Sequence, residues 1–208
     1  TGQMLATIKI IPYAVPRSAL DEVLARLTGT HAALRVAQWG GMRAHLLMTR
    51  LEGTRPAVLA KMRRAVLQRL APLEATLAGE DVVAHEAMPI ARALLHALAR
   101  EPAPDLLLVS GIAATVDRSD VVPAGIVQAG GRVLHAGMPV DPGNLLLLAE
   151  LPGAQGAVPV VGIPTCARSP KLNGFDFVLR RFAARLPVTS AHITAMGVGG
   201  LLTEIESR

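Results

Sequence analysis

The sequence predicts an α/β protein built on a mostly parallel sheet, and three observations lead there. From Arg43 onward, short apolar runs alternate with amphipathic stretches of helical length, the alternation that produces βαβ units. Three of the runs, LLLVSG, VLHAGMP and VPVVGIP, are closed by polar turns rich in Gly or Pro, as buried strands of parallel sheets are. Apolar residues make up 51% of the 208-residue chain but aromatics only 2%, so Leu, Val, Ala and Ile must build one substantial core. The same figures exclude a disordered chain.

Upstream of Arg43, ATIKIIPYAV (6–15) reads as a strand interrupted by Pro12 and hence an edge strand. Ser18 is placed to cap a short helix over Ala19–Leu27, with Glu22 in its first turn. LRVAQW (34–39) reads as a second strand. Gly40-Gly41 marks a break, dividing the chain into a partial N-terminal α+β subdomain, 1–42, and an α/β domain, 43–208. A chain opening Thr-Gly-Gln, with no basic segment ahead of an apolar one, is expected to be a piece of a longer protein without a signal peptide.

Beyond the break, AHLLMTR is a strand that leads through Glu52-Gly53-Thr54 into a helix over Pro56–Leu70, with proline at its first position. EDVVAHEAMP (80–89) supplies a strand and Ile90–Arg100 a helix. DLLLVSG is the central strand, followed by a helix from Val121 to Ala129. GRVLHAGMP and NLLLLAEL flank a short turn and form an antiparallel element; the leucine-rich run suits a core or an interface equally. VPVVGIP is a further core strand, followed by a helix over Phe175–Leu186. HITAMGVGGLLTEI (192–205) reads as a short helix, a Gly-rich turn and a last strand.

Composition narrows the partners. The net charge is +5, from 21 Lys+Arg against 16 Asp+Glu. The arginines are scattered and few aromatics are available to stack on bases, so nucleic acid is not the expected partner. No window reaches the roughly 18 uninterrupted apolar residues of a membrane span. A single cysteine leaves no disulfide framework, and a cytoplasmic location is expected. The six histidines are dispersed and make no metal spacing; His135, near VDPGN, is the one expected close to the pocket.

Ligands of open α/β sheets bind beyond the carboxyl ends of the strands, so the turns after the core strands describe a pocket. SGIAATVDRSD presents backbone N–H groups just ahead of a helix, with Asp120 at its N-cap. VDPGN offers a carboxylate and an amide on a type I or II turn. TCARSPKLNGFD (165–176) places Arg168 and Lys171 beside Ser169, Asn173 and Gly174, donors suited to a phosphate in a flexible loop. Cys166 is either a small buried hydrophobe or, next to positive charge, a reactive thiolate or soft-metal ligand. G-x-x-x-x-G-K-[ST] and G-x-G-x-x-G loops are absent, as is a G-x-S-x-G elbow. The residues alone lead to an α/β domain that binds an anionic small molecule.

At these turns, from about Arg43 to Leu186, the sequence resembles the molybdopterin-binding domain of the MoeA and MogA/MoaB families of molybdenum-cofactor biosynthesis. The matching stretches are VSGIAATVDRSDVVP, AGGRVLHAGMPVDPGN and GIPTCARSP. ATIKIIPYAVP, GMPVDPGNLLLL and CARSPKLNGFDFVL are closest to molybdopterin-binding proteins found alone or fused to a MobA-like nucleotidyltransferase. The resemblance implies a three-layer α/β/α fold that binds molybdopterin or its nucleotide form and presents it for metal insertion or nucleotidyl transfer. It implies binding roles for Ser110, Gly111, Ile112, Ala113 and Ala114, for Pro142, Gly143 and Asn144, and for Pro164, Thr165, Cys166, Arg168, Ser169 and Lys171. Asp120 or Asp117 would be the catalytic carboxylate, with Asp120 holding a Mg²⁺ that bridges phosphates. The chain departs from the pattern where MTRLEGTRP replaces the family's Thr-Gly-Asp-Glu, leaving Glu52 as its acidic residue, and where Ile112 replaces a glycine. An enzyme of the adenylyltransferase or molybdotransferase kind is one expectation. The other is an inactive carrier or oligomerisation module for an attached or partner cytidylyltransferase. A homo-oligomer is expected.

Overall fold

The computed structural model describes residues 12–28 and 36–197. The chain divides into two compact units, Thr1–Ala37 and Gln38–Arg208. In the first, α1 (Arg17–Thr28) starts one residue ahead of Ser18, so Ser18 lies in its first turn and not at its cap. Arg17–Asp21 and Arg26–Glu22 ion pairs brace α1 at i,i+4 spacing. The proposed strand at 6–15 falls mostly outside the described residues, and its described part, 12–15, is not extended into a strand. The same holds for 34–39: residues 36–39 form no strand.

The second unit alternates strand and helix: β1 (Arg43–Arg50), α2 (Pro56–Leu70), β2 (Thr76–Ala84), α3 (Ala87–Leu98), β3 (Leu106–Ser110) and α4 (Val121–Gln128). Then come β4 (Arg132–Ala136), β5 (Leu147–Gly153), β6 (Gly156–Gly162), α5 (Gly174–Ala183) and α6 (Ser190–Ala195). The six strands lie in the order β2-β1-β3-β6-β5-β4. β1 pairs parallel to β2 and β3, and β3 parallel to β6, whereas β5 runs antiparallel to both neighbours. The reversal is possible because β5 and β6 are joined by the two residues 154–155 and need no crossover.

Alternation along β1 assigns each face its helices. Leu46 and Met48 pack with Met62, Val66, Phe175 and Leu179 under α2 and α5. Leu47 packs with Ile90, Leu94, Val122 and Ile126 under α3 and α4. The fold is therefore three-layer α/β/α. β5 is an inner strand, with Leu147, Leu148, Ala149 and Leu151 all buried, so the leucine-rich run belongs to the core.

Several boundaries differ from expectation: α3 runs over Ala87–Leu98 and not Ile90–Arg100, and α5 ends at Ala183, three residues short of Leu186. β2 begins at Thr76 and ends at Ala84, four residues earlier at its start than the apolar pattern implies, and 85–89 already turns into α3. VLHAGMP is not a buried parallel-type strand: β4 is a half-exposed edge strand that ends at Ala136. An edge strand meets side-chain neighbours on one flank only, which lets His135 and Arg132 reach solvent.

Candidate functional site

From β1 the chain steps to β2 on one side and returns to β3 on the other, so β1 and β3 flank the topological switch point, where α/β sheets open a crevice. Near the carboxyl end of β1, Thr49 is fully buried. Its Oγ1 accepts the Ile112 N–H at 2.8 Å and lies 2.9 Å from His85 Nδ1. Burial pushes the His85 pKa down, opposed by the nearby Asp120 carboxylate.

The loop after β3 wraps around its own carboxylates. Asp120 Oδ2 accepts from the amides of Val116 (2.7 Å) and Asp117 (3.0 Å). It occupies the N-cap position of α4, but its side chain makes no cap hydrogen bond there, contrary to the expected capping role. Asp117 accepts from the Ser119 hydroxyl and amide, which hold its carboxyl below the ordinary value. Ser110 is buried at the end of β3 and Gly111 just beyond it. The Ile112 amide is taken by Thr49, while those of Ala113 and Ala114 have no partner among the described residues.

The loop after β6 meets this one directly. Pro164 leads into a 3₁₀ turn, Thr165–Arg168, and Arg168 Nη2 donates to the carbonyls of Gly111 (2.7 Å) and Ile112 (2.8 Å). Its Nε is buried without a partner. Burial pushes the guanidinium pKa down, and no carboxylate pairs with it among the described residues. Arg168 thus fastens two loops together and brings an uncompensated positive charge to the strand ends. Lys171 is exposed.

The segment after Lys171 is tied down, unlike the flexible loop expected there. Asn173, 1% exposed, accepts the Phe175 N–H at 3.0 Å, and Asp176 accepts the Asn173 N–H at 2.8 Å, a reciprocal cap on α5. From below, Arg69 of α2 binds Asp176 Oδ1 (2.7 Å) and the carbonyls of Ser169 (2.8 Å) and Lys171 (3.3 Å). Cys166 is exposed, which removes the buried-hydrophobe reading, and its Sγ lies 3.2 Å from Asn173 Nδ2.

The 141–144 turn completes the edge. Gly143 has φ 131° and is packed so closely that a Cβ would stand 2.7 Å from the Gly174 amide. Pro142 accepts the Gly174 N–H at 2.8 Å, and the carbonyl of the exposed Asn144 accepts from Met138. His135 is engaged with Ser190 at 2.7 Å. A cavity of about 110 Å³ lies between the β3 loop and the β4–β5 connection, lined by Val116, Asp117, Gly137 and Leu146. A larger one, about 840 Å³, lies at the opposite edge of the sheet. Volume and chemistry disagree, and the strand ends are the better candidate because backbone donors, Arg168 and two carboxylates converge there.

The structure thus brings together the loops containing Ser110–Ala114, Asp117, Asp120 and Pro164–Lys171, and ties the 141–144 turn to the start of α5. Thr49, His85 and Arg69 were missed. Their one sequence signal is position: Thr49 ends an apolar strand run, and His85 follows another. No cluster of three or more His, Cys, Asp or Glu suited to a metal occurs among the described residues. No helix among them is long and apolar enough to cross a membrane.

No family model matches the chain, and no curated protein matches it. Among solved structures it is similar to the crystal structure of the protein CinA with unknown function from Thermoplasma acidophilum, at 14% identity over 62% of this chain and 90% of that one, with a TM-score of 0.36.

Proposed function

We propose that this protein binds molybdopterin or its nucleotide form at the carboxyl edge of the sheet, with the terminal phosphate held between the loops after β3 and β6. The observation that carries the reading is Arg168: a half-buried guanidinium with no carboxylate partner among the described residues, at the junction of those loops. A cation so placed attracts an anion, and each well-formed charge-assisted bond is worth about 1.5–3 kcal/mol. The unpartnered amides of Ala113 and Ala114 supply further donors. Exposed Lys171 adds charge at the rim. The small cavity at this edge suits a ligand seated across the surface of the loops, with its phosphate as the anchor.

Mg²⁺ fits only in partnership with the ligand. Asp120 has one oxygen committed to its loop amides, and Oδ1 has no partner among the described residues. One carboxylate oxygen plus substrate phosphates is a usual Mg²⁺ arrangement; the ion would neutralise phosphate charge there. His85, tied to Thr49 and kept neutral near pH 7 by its burial, borders this edge. The self-engaged state of Asp117 and Asp120 favours a second reading, a carrier that holds the cofactor for a partner cytidylyltransferase.

Calorimetric titration with molybdopterin, on the wild type and on the Arg168→Ala, Lys171→Ala double variant, tests the proposal. Binding that the variant loses is expected; a wild type that does not bind sinks it. Incubation with ATP and Mg²⁺ then separates the readings, because a carrier binds without forming or cleaving a phosphoanhydride.

A further inference from the structure

The β5–β6 hairpin is longer than the strand beside it. β3 first joins β6 at Leu107, opposite Val160, whereas β6 reaches back to Gly156 and pairs with β5 all the way. Residues 153–159 therefore overhang the amino edge of the sheet. Pro159, which has no N–H to give, sits beyond the paired part of β3. Between this overhang, the 98–105 segment and Arg185 lies the cleft of about 840 Å³, within the roughly 300–1,000 Å³ range of small-molecule sites.

The cleft is lined by three guanidinium groups, Arg43, Arg100 and Arg185, and by two carboxylates, Glu101 and Asp105, with the Asp81 carboxylate behind Arg100. Asp105 is shared: Oδ2 accepts the Arg43 amide at 2.7 Å and lies 3.8 Å from Arg43 Nε, while Oδ1 lies 3.3 Å from Arg185 Nη1. Arg100 is the underused member. Its closest carboxylate contact is 3.7 Å, to Asp81, and its Nε is buried with no partner. Next to it the buried His45 ring pairs through Nε2 with Asp81 at 2.9 Å and leaves Nδ1 unpartnered. Gly79 makes room for both groups, since a Cβ there would stand 2.9 Å from Arg100 Nη1 and from His45 Nδ1. Buried donors are ordinarily satisfied, so an orphaned guanidinium N–H beside a cleft points to a missing acceptor.

We propose that this cleft is a second binding site, for a small molecule bearing one terminal carboxylate or phosphate on an apolar body. The oxyanion is held by Arg100 and Arg185. The body lies against Pro102, Pro104 and Val158. The site owes nothing to the molybdopterin proposal, which concerns the opposite edge.

Amide NMR spectra of the whole chain, titrated with phenyl phosphate, benzoate and inorganic phosphate, test it. Saturable shifts within 98–105 and 153–159 are expected for phenyl phosphate or benzoate, and whichever binds more tightly identifies the oxyanion. Inorganic phosphate, lacking the body, should bind at least about tenfold more weakly. Arg100→Ala should abolish the shifts and the exposed Arg185→Ala weaken them about tenfold, while Arg168→Ala leaves them unchanged. Because Arg185 stands outside the His45–Asp81–Arg100 cluster, its variant keeps the test valid even if Arg100→Ala fails to fold. Shifts that never saturate, that saturate in Arg185→Ala at the same ligand concentration as in the wild type, or that are confined to 110–120 and 164–173 and vanish in Arg168→Ala overturn the proposal; the last of these would speak for the carboxyl edge instead.

Discussion

Thr49 joins three backbone segments through one hydroxyl. Replacing it by valine keeps the volume but strands the Ile112 N–H and the His85 Nδ1 in a buried site. Thr49→Val should therefore cost about 1–3 kcal/mol, read as a lower urea midpoint with unchanged slope. His45 gives a pH signature. Burial lowers its pKa from 6.5 in spite of Asp81 beside it, so the unfolded chain binds the proton more readily than the folded one. Stability is then full above about pH 6.5 and falls as pH drops from there towards the folded pKa. His85 acts in the same direction. Thermal melts should show this decline, and His45→Gln should flatten part of it; a slope unchanged in the variant would assign it elsewhere. At this scale Arg168 and Lys171 stand out in the sequence because phosphate-type donors crowd one short stretch. Thr49, His85 and Arg69 were not, because the bonds that give them roles join segments far apart in the chain, as Arg69 joins Asp176 across 107 positions.

Individual elements depend on their ends. The cap on α5 rests on Asn173, and Asn173→Ala should lose about 1 kcal/mol together with protection of the Phe175 amide in hydrogen exchange. The Arg69–Asp176 pair is nearly buried on both sides, at 8% and 13% exposure. Arg69→Ala leaves Asp176 without its cation and should destabilise by roughly 3–5 kcal/mol, loosening residues 169–171 as it does so. Helices were legible nearly to the residue where a marker exists, as with Pro56 opening α2 and Asp120 preceding α4. The start of β2 was not: Ala78 and Gly79 are poor strand formers, and Gly79 lies where a Cβ would meet His45 and Arg100. Edge status is equally silent, so the apolar VLHAGMP read as buried though β4 has only β5 for a neighbour.

For the molecule as a whole, alternation of runs predicted an α/β sheet, and the antiparallel β4–β5 pair was expected from their short separation. Strand order was beyond reach, since it depends on which crossover lands on which side of β1. That order has a kinetic consequence. β5 and β6 pair across two residues, so their hairpin can close locally in about 1–10 μs. β3 meets β6 only after the whole of α4, β4 and β5 has been gathered between them. Pulsed hydrogen exchange during refolding should find amides of 147–153 and 156–162 protected before those of 106–110, and simultaneous protection would refute this order. The single reversed strand is thus a head start: it lets one half of the sheet form as a preassembled edge on which the slower parallel half is laid down.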